Sequence, residues 1–174
     1  MKRQEHIIFR EVQRPRQIWI WVIILLIAAF MWFSFITQVI IGVPIGDKPA
    51  PDIIMLLFWL AFSIVFPLCL LRFMKLVTEV RRDGLYVRYV PFHFHYKSFL
   101  FKDIVRYKNI TYRPLGRFGG WGIRFNAEGE TAYTMSGNQG IELHLPNSTV
   151  VVGSQDPDGL IKALDSAKRD LMRL

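Results

Sequence analysis

Two runs free of charged side chains, Ile18 to Ile41 and Ile53 to Leu71, constrain this chain more than any other feature of it. They hold 24 and 19 residues. At about 1.5 Å per residue, helices of those lengths reach roughly 36 and 28 Å, against a hydrocarbon core of about 30 Å. Buried core helices seldom run so far without a charge, and the rest of a 174-residue chain is too small to cover both. Both runs therefore read as membrane spans, 18–41 and 53–71. Trp19, Trp21, Trp32 and Trp59 lie within them, two near an end, where amphipathic rings favour the interface. Ser34, Thr37 and Gln38 sit toward the far end of the first span, placed either to hydrogen-bond to the second helix or to meet headgroups. Pro67 marks a kink of the kind a membrane helix tolerates. A secretory signal would carry a shorter apolar stretch and then small residues at a cleavage site. Here the run ends Thr-Gln-Val-Ile-Ile-Gly-Val-Pro, so it reads as an uncleaved anchor.

Basic residues set the expected orientation. The tail 1–17 carries Lys2, Arg3, Arg10, Arg14 and Arg16, and Arg72, Lys75, Arg81 and Arg82 follow the second span. The Gly/Pro-rich loop 42–52 has only Lys48. Positive residues favour the cytoplasmic side, which predicts a multi-pass protein of the cell membrane with both termini cytoplasmic and the loop outside. Asp52 is placed as an N-cap of the second span. The single cysteine, Cys69, lies in that span, so there is neither a disulfide framework nor a cysteine metal site.

From residue 72 to 174 the pattern changes to short runs rich in β-branched and aromatic residues, separated by turn signals. Arg82-Asp-Gly84 predicts a tight hairpin in which the glycine supplies a positive φ. Asn126–Gly129, Ser136–Gly140 and Pro146–Ser148 mark further reversals. The chain closes with an amphipathic helix: Asp156 as N-cap, Pro157 in the first turn, and Leu160, Ile161, Leu164, Ala167 and Leu171 as one apolar stripe. The expected fold class is a transmembrane α-helical hairpin plus a mainly β soluble domain, an antiparallel barrel or sandwich of about seven strands with a C-terminal α-helix.

Several segments carry a resemblance that covers nearly the whole chain. They are Phe9-Arg-Glu-Val-Gln13, Gly46-Asp-Lys-Pro-Ala-Pro-Asp52, Asp83-Gly-Leu-Tyr-Val87 and Tyr112-Arg-Pro-Leu115, then Gly119-Gly-Trp-Gly-Ile-Arg124, Ser136-Gly-Asn-Gln-Gly140 and Gly153-Ser-Gln155. On these the chain resembles an uncharacterised prokaryotic family of small two-span membrane proteins with a bacterial pleckstrin-homology-like domain. The resemblance implies fold and topology, and it brings no substrate, cofactor or catalytic residue.

Candidate chemistry is sparse. In Tyr112–Arg124, glycines including Gly119 and Gly120 are suited to turn several N–H groups toward one anion, with Arg113, Arg117 and Arg124 adding charge and Phe118 and Trp121 meeting an interface. This is the expected lipid-headgroup or anion site; the plainer alternative is a glycine-rich connection with solvated arginines and Trp121 capping the core. Charge is uneven: 72–124 has twelve basic and three acidic residues (+9), 125–174 four and seven (−3). A basic half joined to a span suits an anionic inner leaflet. Nucleic acid is not expected, because no recognition helix or stacking motif accompanies the charge. His93 and His95 fall on one side of an extended stretch without a third ligand nearby, so no metal is expected, and the aromatics Phe92, Phe94 and Tyr96 around them suit a loop dipping toward lipid. Ser136 and His144 form no recognisable triad with an aspartate. The expected function is a non-enzymatic, membrane-anchored adaptor on the inner leaflet, without cofactor, binding lipid headgroups or another membrane or cytoplasmic protein. The alternative is an accessory subunit of a larger membrane complex.

Overall fold

The computed structural model describes residues 7–173; Lys2 and Arg3 of the basic tail lie outside the described residues. The chain divides into two compact units, residues 17–74 and residues 7–16 with 75–173.

The first unit is a helical hairpin. Helix α1 (Ile18–Phe35) runs on as a π-helical turn, Ile36–Ile40. The return is α2 (Asp52–Trp59), a π-helical stretch (Leu60–Val65) and α3 (Phe66–Phe73). Pro67 has no N–H to give to the carbonyl four residues back, at Ser63, and the wider turns lie at that place. The two helices, Ile18–Ile40 and Asp52–Leu70, are long and apolar enough to cross a membrane. They meet through Trp59, stacked on Phe35 at 4.6 Å between centroids and edge-on to Trp32 at 4.9 Å. Gln38, 6% exposed, donates from Nε2 to the Ala50 carbonyl (2.6 Å) and to Asp52 Oδ1 (3.2 Å). Asp52 is therefore not the N-cap: Pro51 holds that position, and the carboxylate is engaged by Gln38.

The second unit contains nine strands among the described residues. The first sheet is antiparallel, in the order β1 (Ile7–Gln13), β2 (Lys75–Arg81), β3 (Gly84–Val90), β4 (Lys97–Leu100). Residues 7–13, expected within a tail, are thus its edge strand: Phe9, Glu11 and Gln13 alternate in register with Val80, Thr78 and Leu76 of β2, and the register shifts between Ile7, opposite Arg81, and Phe9. The second sheet is ordered β5 (Arg106–Thr111), β8 (Gln139–His144), β9 (Thr149–Gly153), β7 (Thr131–Thr134), β6 (Gly122–Phe125). It is mixed where all-antiparallel pairing was expected: β9 inserts between β8 and β7 and runs parallel to β7.

The Arg82–Asp83 reversal is present, but Gly84 does not take a positive φ. It faces Leu100, and a Cβ there would stand 2.3 Å from the Phe99 carbonyl oxygen, so the glycine permits close approach of β4. The last helix, α5 (Pro157–Met172), is capped as expected, with Asp156 Oδ1 accepting from the Gly159 N–H at 2.9 Å. Its buried stripe is Leu160, Ala163, Leu164 and Ala167, whereas Leu171 is exposed. It packs on β1, β2 and β3 of one sheet and on β5 and β8 of the other. Leu76, Val80, Leu85, Val87, Ile141, Leu143 and Val152 are fully buried among these elements.

Candidate functional site

The glycine-rich segment forms a short helix, α4 (Pro114–Phe118), whose C-terminus ends at Gly119 with φ +69°. The Gly119 N–H donates to the Leu115 carbonyl and the Gly120 N–H to the Pro114 carbonyl, both at 3.0 Å. Gly122 N–H reaches Thr134 Oγ1 at 3.3 Å. These are the donors a phosphate cradle would need, and the helix end and its neighbouring strand take them up. Phe118 is buried beside Tyr112, Ala132 and Val151 instead of facing an interface. Half-buried Trp121 donates from Nε1 to the Gly137 carbonyl at 2.7 Å.

Arg117 is also engaged internally. Its guanidinium forks onto Glu130, with Nε 2.8 Å from Oε2, and its second nitrogen also donates to Glu142 Oε2 at 2.7 Å. Glu142 further accepts Lys108 at 3.1 Å. Hydrogen bonding to Glu130 raises the Arg117 pKa. The same bond holds the Glu130 carboxyl below its ordinary value. Burial pushes the Glu142 carboxyl up, and Arg117 with Lys108 outweighs it, so the net shift is downward. Arg113 and Arg124 are exposed, Arg124 donating from Nε to the Trp121 carbonyl at 3.1 Å. Of the six residues expected to bind an anion, these two present side-chain charge to solvent and Arg117 serves the fold.

A different set of the singled-out segments does converge. Inserting β9 between β7 and β8 forces the 135–138 link to pass the end of β9 where the chain leaves for α5. Ser154 N–H donates to the Gln139 carbonyl (3.0 Å) and Tyr112 N–H to the Asn138 carbonyl (2.8 Å). From β1, Glu11 accepts the Ser154 hydroxyl (2.7 Å) and the Gln155 N–H (2.8 Å), and Gln13 donates to the Gly153 carbonyl (2.7 Å). Gly140 lies opposite Gly153, and a Cβ on it would stand 2.3 Å from the Val152 carbonyl oxygen. Around this junction lie two adjoining hollows of about 330 and 340 Å³, sharing Gln139 and Gln155, the first reaching Arg16 and Asn138, the second Asn109 and Asp158. The lining is mostly amide and hydroxyl. Sequence reading singled out the segments without linking them, since their meeting depends on one parallel pairing.

Ser136 accepts from Gln155 Nε2 at 3.0 Å. His144 Nδ1 lies 3.4 Å from Thr149 Oγ1, and its Nε2 is 2.9 Å from Glu142 Oε1 without hydrogen-bond alignment. His93 is half-buried, its Nδ1 accepting the Tyr89 N–H at 3.3 Å, and burial followed by nearby Lys97 lowers its pKa; His95 is exposed. Burial pushes the phenols of Tyr89 and Tyr112 up to about 12. Among the described residues no three His, Cys, Asp or Glu side chains are grouped to hold a metal.

Compared with known proteins, residues 1–170 match the model of a family of unknown function, DUF6141. No curated protein and no solved structure matches the chain.

Proposed function

We propose that this chain, which belongs to the DUF6141 family, is a non-enzymatic, membrane-anchored binding module whose β domain docks on the anionic inner leaflet of a prokaryotic cell membrane. The observation that carries this reading is the pair of apolar helices: only Ile24, Ser34 and Gln38 of one and no residue of the other are buried within the chain, so both need a non-aqueous cover. Both links to the β domain then leave it from one end of one sheet, since Gln13 pairs with Leu76 and Lys75 with Val90. With both termini cytoplasmic, the basic 72–124 half is tethered beside lipid, where each cation near the surface contributes about 1 kcal/mol. Two sheets closed by a C-terminal helix also agree in plan with the pleckstrin-homology-like resemblance.

Energy transfer tests it. The full chain carrying Cys69→Ser and Asn147→Cys takes a donor dye in the exposed β8–β9 turn, with acceptor-labelled headgroups in the vesicles. Transfer should rise when phosphatidylglycerol joins phosphatidylcholine and fall again with salt. Indifference to lipid charge would remove the docking reading. A second reading, a protein partner, is favoured by the amide-lined hollows at Gln139 and Gln155, which suit an extended polar segment. A photo-crosslinker at Asn138 that captures no specific membrane or cytoplasmic protein in cells would count against it.

A further inference from the structure

We infer that the β3–β4 loop, residues 91–96, is a lipid-inserting element that sets Phe92 and Phe94 into the headgroup layer of the membrane holding the helices. This rests on the anchor reading above and names the part of the domain that meets lipid. Phe92 is 63% exposed and Phe94 84%, and the fold holds them so. The His93 N–H donates to the Tyr89 carbonyl at 2.7 Å, and Arg88 Nε donates to the His93 carbonyl at 3.2 Å. The His93 ring stands edge-on to Tyr133, and the Tyr96 hydroxyl donates to buried Glu79 at 2.8 Å. The loop is thus pinned at His93 and Tyr96 with the two phenylalanines turned outward, an arrangement that keeps apolar rings in water unless something covers them.

Lipid is the occupant that chain connectivity supplies. Val90, the last residue before the loop, lies opposite Lys75. Only Met74 separates Lys75 from α3, so Lys75 is within about 7 Å of the last helical residue along the chain. At the neighbouring strand end, four residues separate Gln13 from α1. The exposed phenylalanines therefore start from the sheet end through which both apolar helices are reached. Arg14 and Lys97 are exposed near the same end in sequence register, and aromatic rings between cations are the composition of an interfacial contact.

The test uses the full chain in phosphatidylglycerol-containing vesicles, with Cys69→Ser and an environment-sensitive dye at Phe94→Cys or, as control in the acidic half, at Met172→Cys, which is 70% exposed at the end of α5. Emission at position 94 should be blue-shifted and quenched by lipids spin-labelled near the headgroup, and emission at 172 should match water. In the Asn147→Cys reporter, Phe92→Ser with Phe94→Ser should reduce docking by roughly tenfold or more. Water-like emission at 94 with charge-dependent transfer at 147 intact would overturn the loop assignment and leave docking standing. Loss of both signals would overturn docking as well. A blue shift without quenching by the lipids would mean a protein surface covers the loop, which also overturns the proposal.

Discussion

Removing the Arg117 guanidinium is the sharpest perturbation of the β domain. In Arg117→Ala, Glu130 keeps Asn126 Nδ2 at 2.6 Å, and Glu142 keeps Lys108, whose side chain is 56% exposed, with His144 Nε2 2.9 Å from its Oε1. The Glu142 side chain is 7% exposed and that of Arg117 29%, so the pair lies closer to the buried than to the solvated limit. Breaking a buried pair costs about 3–5 kcal/mol and an exposed one less than about 1. With the surviving partners, the expected loss is about 2–3 kcal/mol. Hydrogen exchange on the full chain in detergent reads this directly: amides of β8 and β9 that open by unfolding of the sheet should exchange roughly 30- to 150-fold faster. Arg113→Ala, at an exposed position at the start of the same helix, should stay within about 0.5 kcal/mol. The pH dependence supplies a sign. Both glutamates have lowered folded values, so their contribution is present above the ordinary carboxylate range and is lost as pH falls through the folded values. The difference between wild type and Arg117→Ala should therefore shrink below about pH 4. Equal exchange in the two variants, or a difference that grows in acid, would refute this account of the network.

Three further outcomes follow from the geometry. Residues 75–174 produced without 7–13 should aggregate on size-exclusion chromatography, because the β2 edge loses its partner, and rejoining 7–13 through a flexible linker should restore a monodisperse species. Gly84→Ala should destabilise β3–β4 by about 2 kcal/mol or more in hydrogen exchange, since its Cβ meets backbone at 2.3 Å; Gly129→Ala, strained only by its φ of +76° in open space, should cost about 1. Asp156→Ala should cost about 1 kcal/mol through the lost cap, seen as faster exchange in the first turn of α5, with Asp156→Ser recovering most of it.

The places where sequence reading and structure agree share one cause: their signals are local. A stretch of 24 uncharged residues, an Asp-Pro-Asp start to an amphipathic helix, and turn residues between β-branched runs each carry their instruction within a few turns of chain. Two long apolar helices, a β-rich unit and a capped final helix were legible for that reason. What was not legible depends on partners distant in sequence. Residues 7–13 look like a tail until β2 offers its edge some seventy residues later, and Gly84 looks like a turn glycine until β4 presses against it. The residues expected to bind an anion show the same dependence. Arg117, Gly119 and Gly120 look free along the sequence, yet Glu130, Glu142 and the α4 carbonyls take them up, while Arg113 and Arg124 stay exposed. The charge split between 72–124 and 125–174 is real in the chain and partly erased in the fold, where Lys108 and Arg117 meet acids from the other half. Composition along the chain determines which segments leave water. Which charges remain for a partner is decided only when β9 slips between β7 and β8, because pairing removes a charge from solvent that no count of residues can subtract.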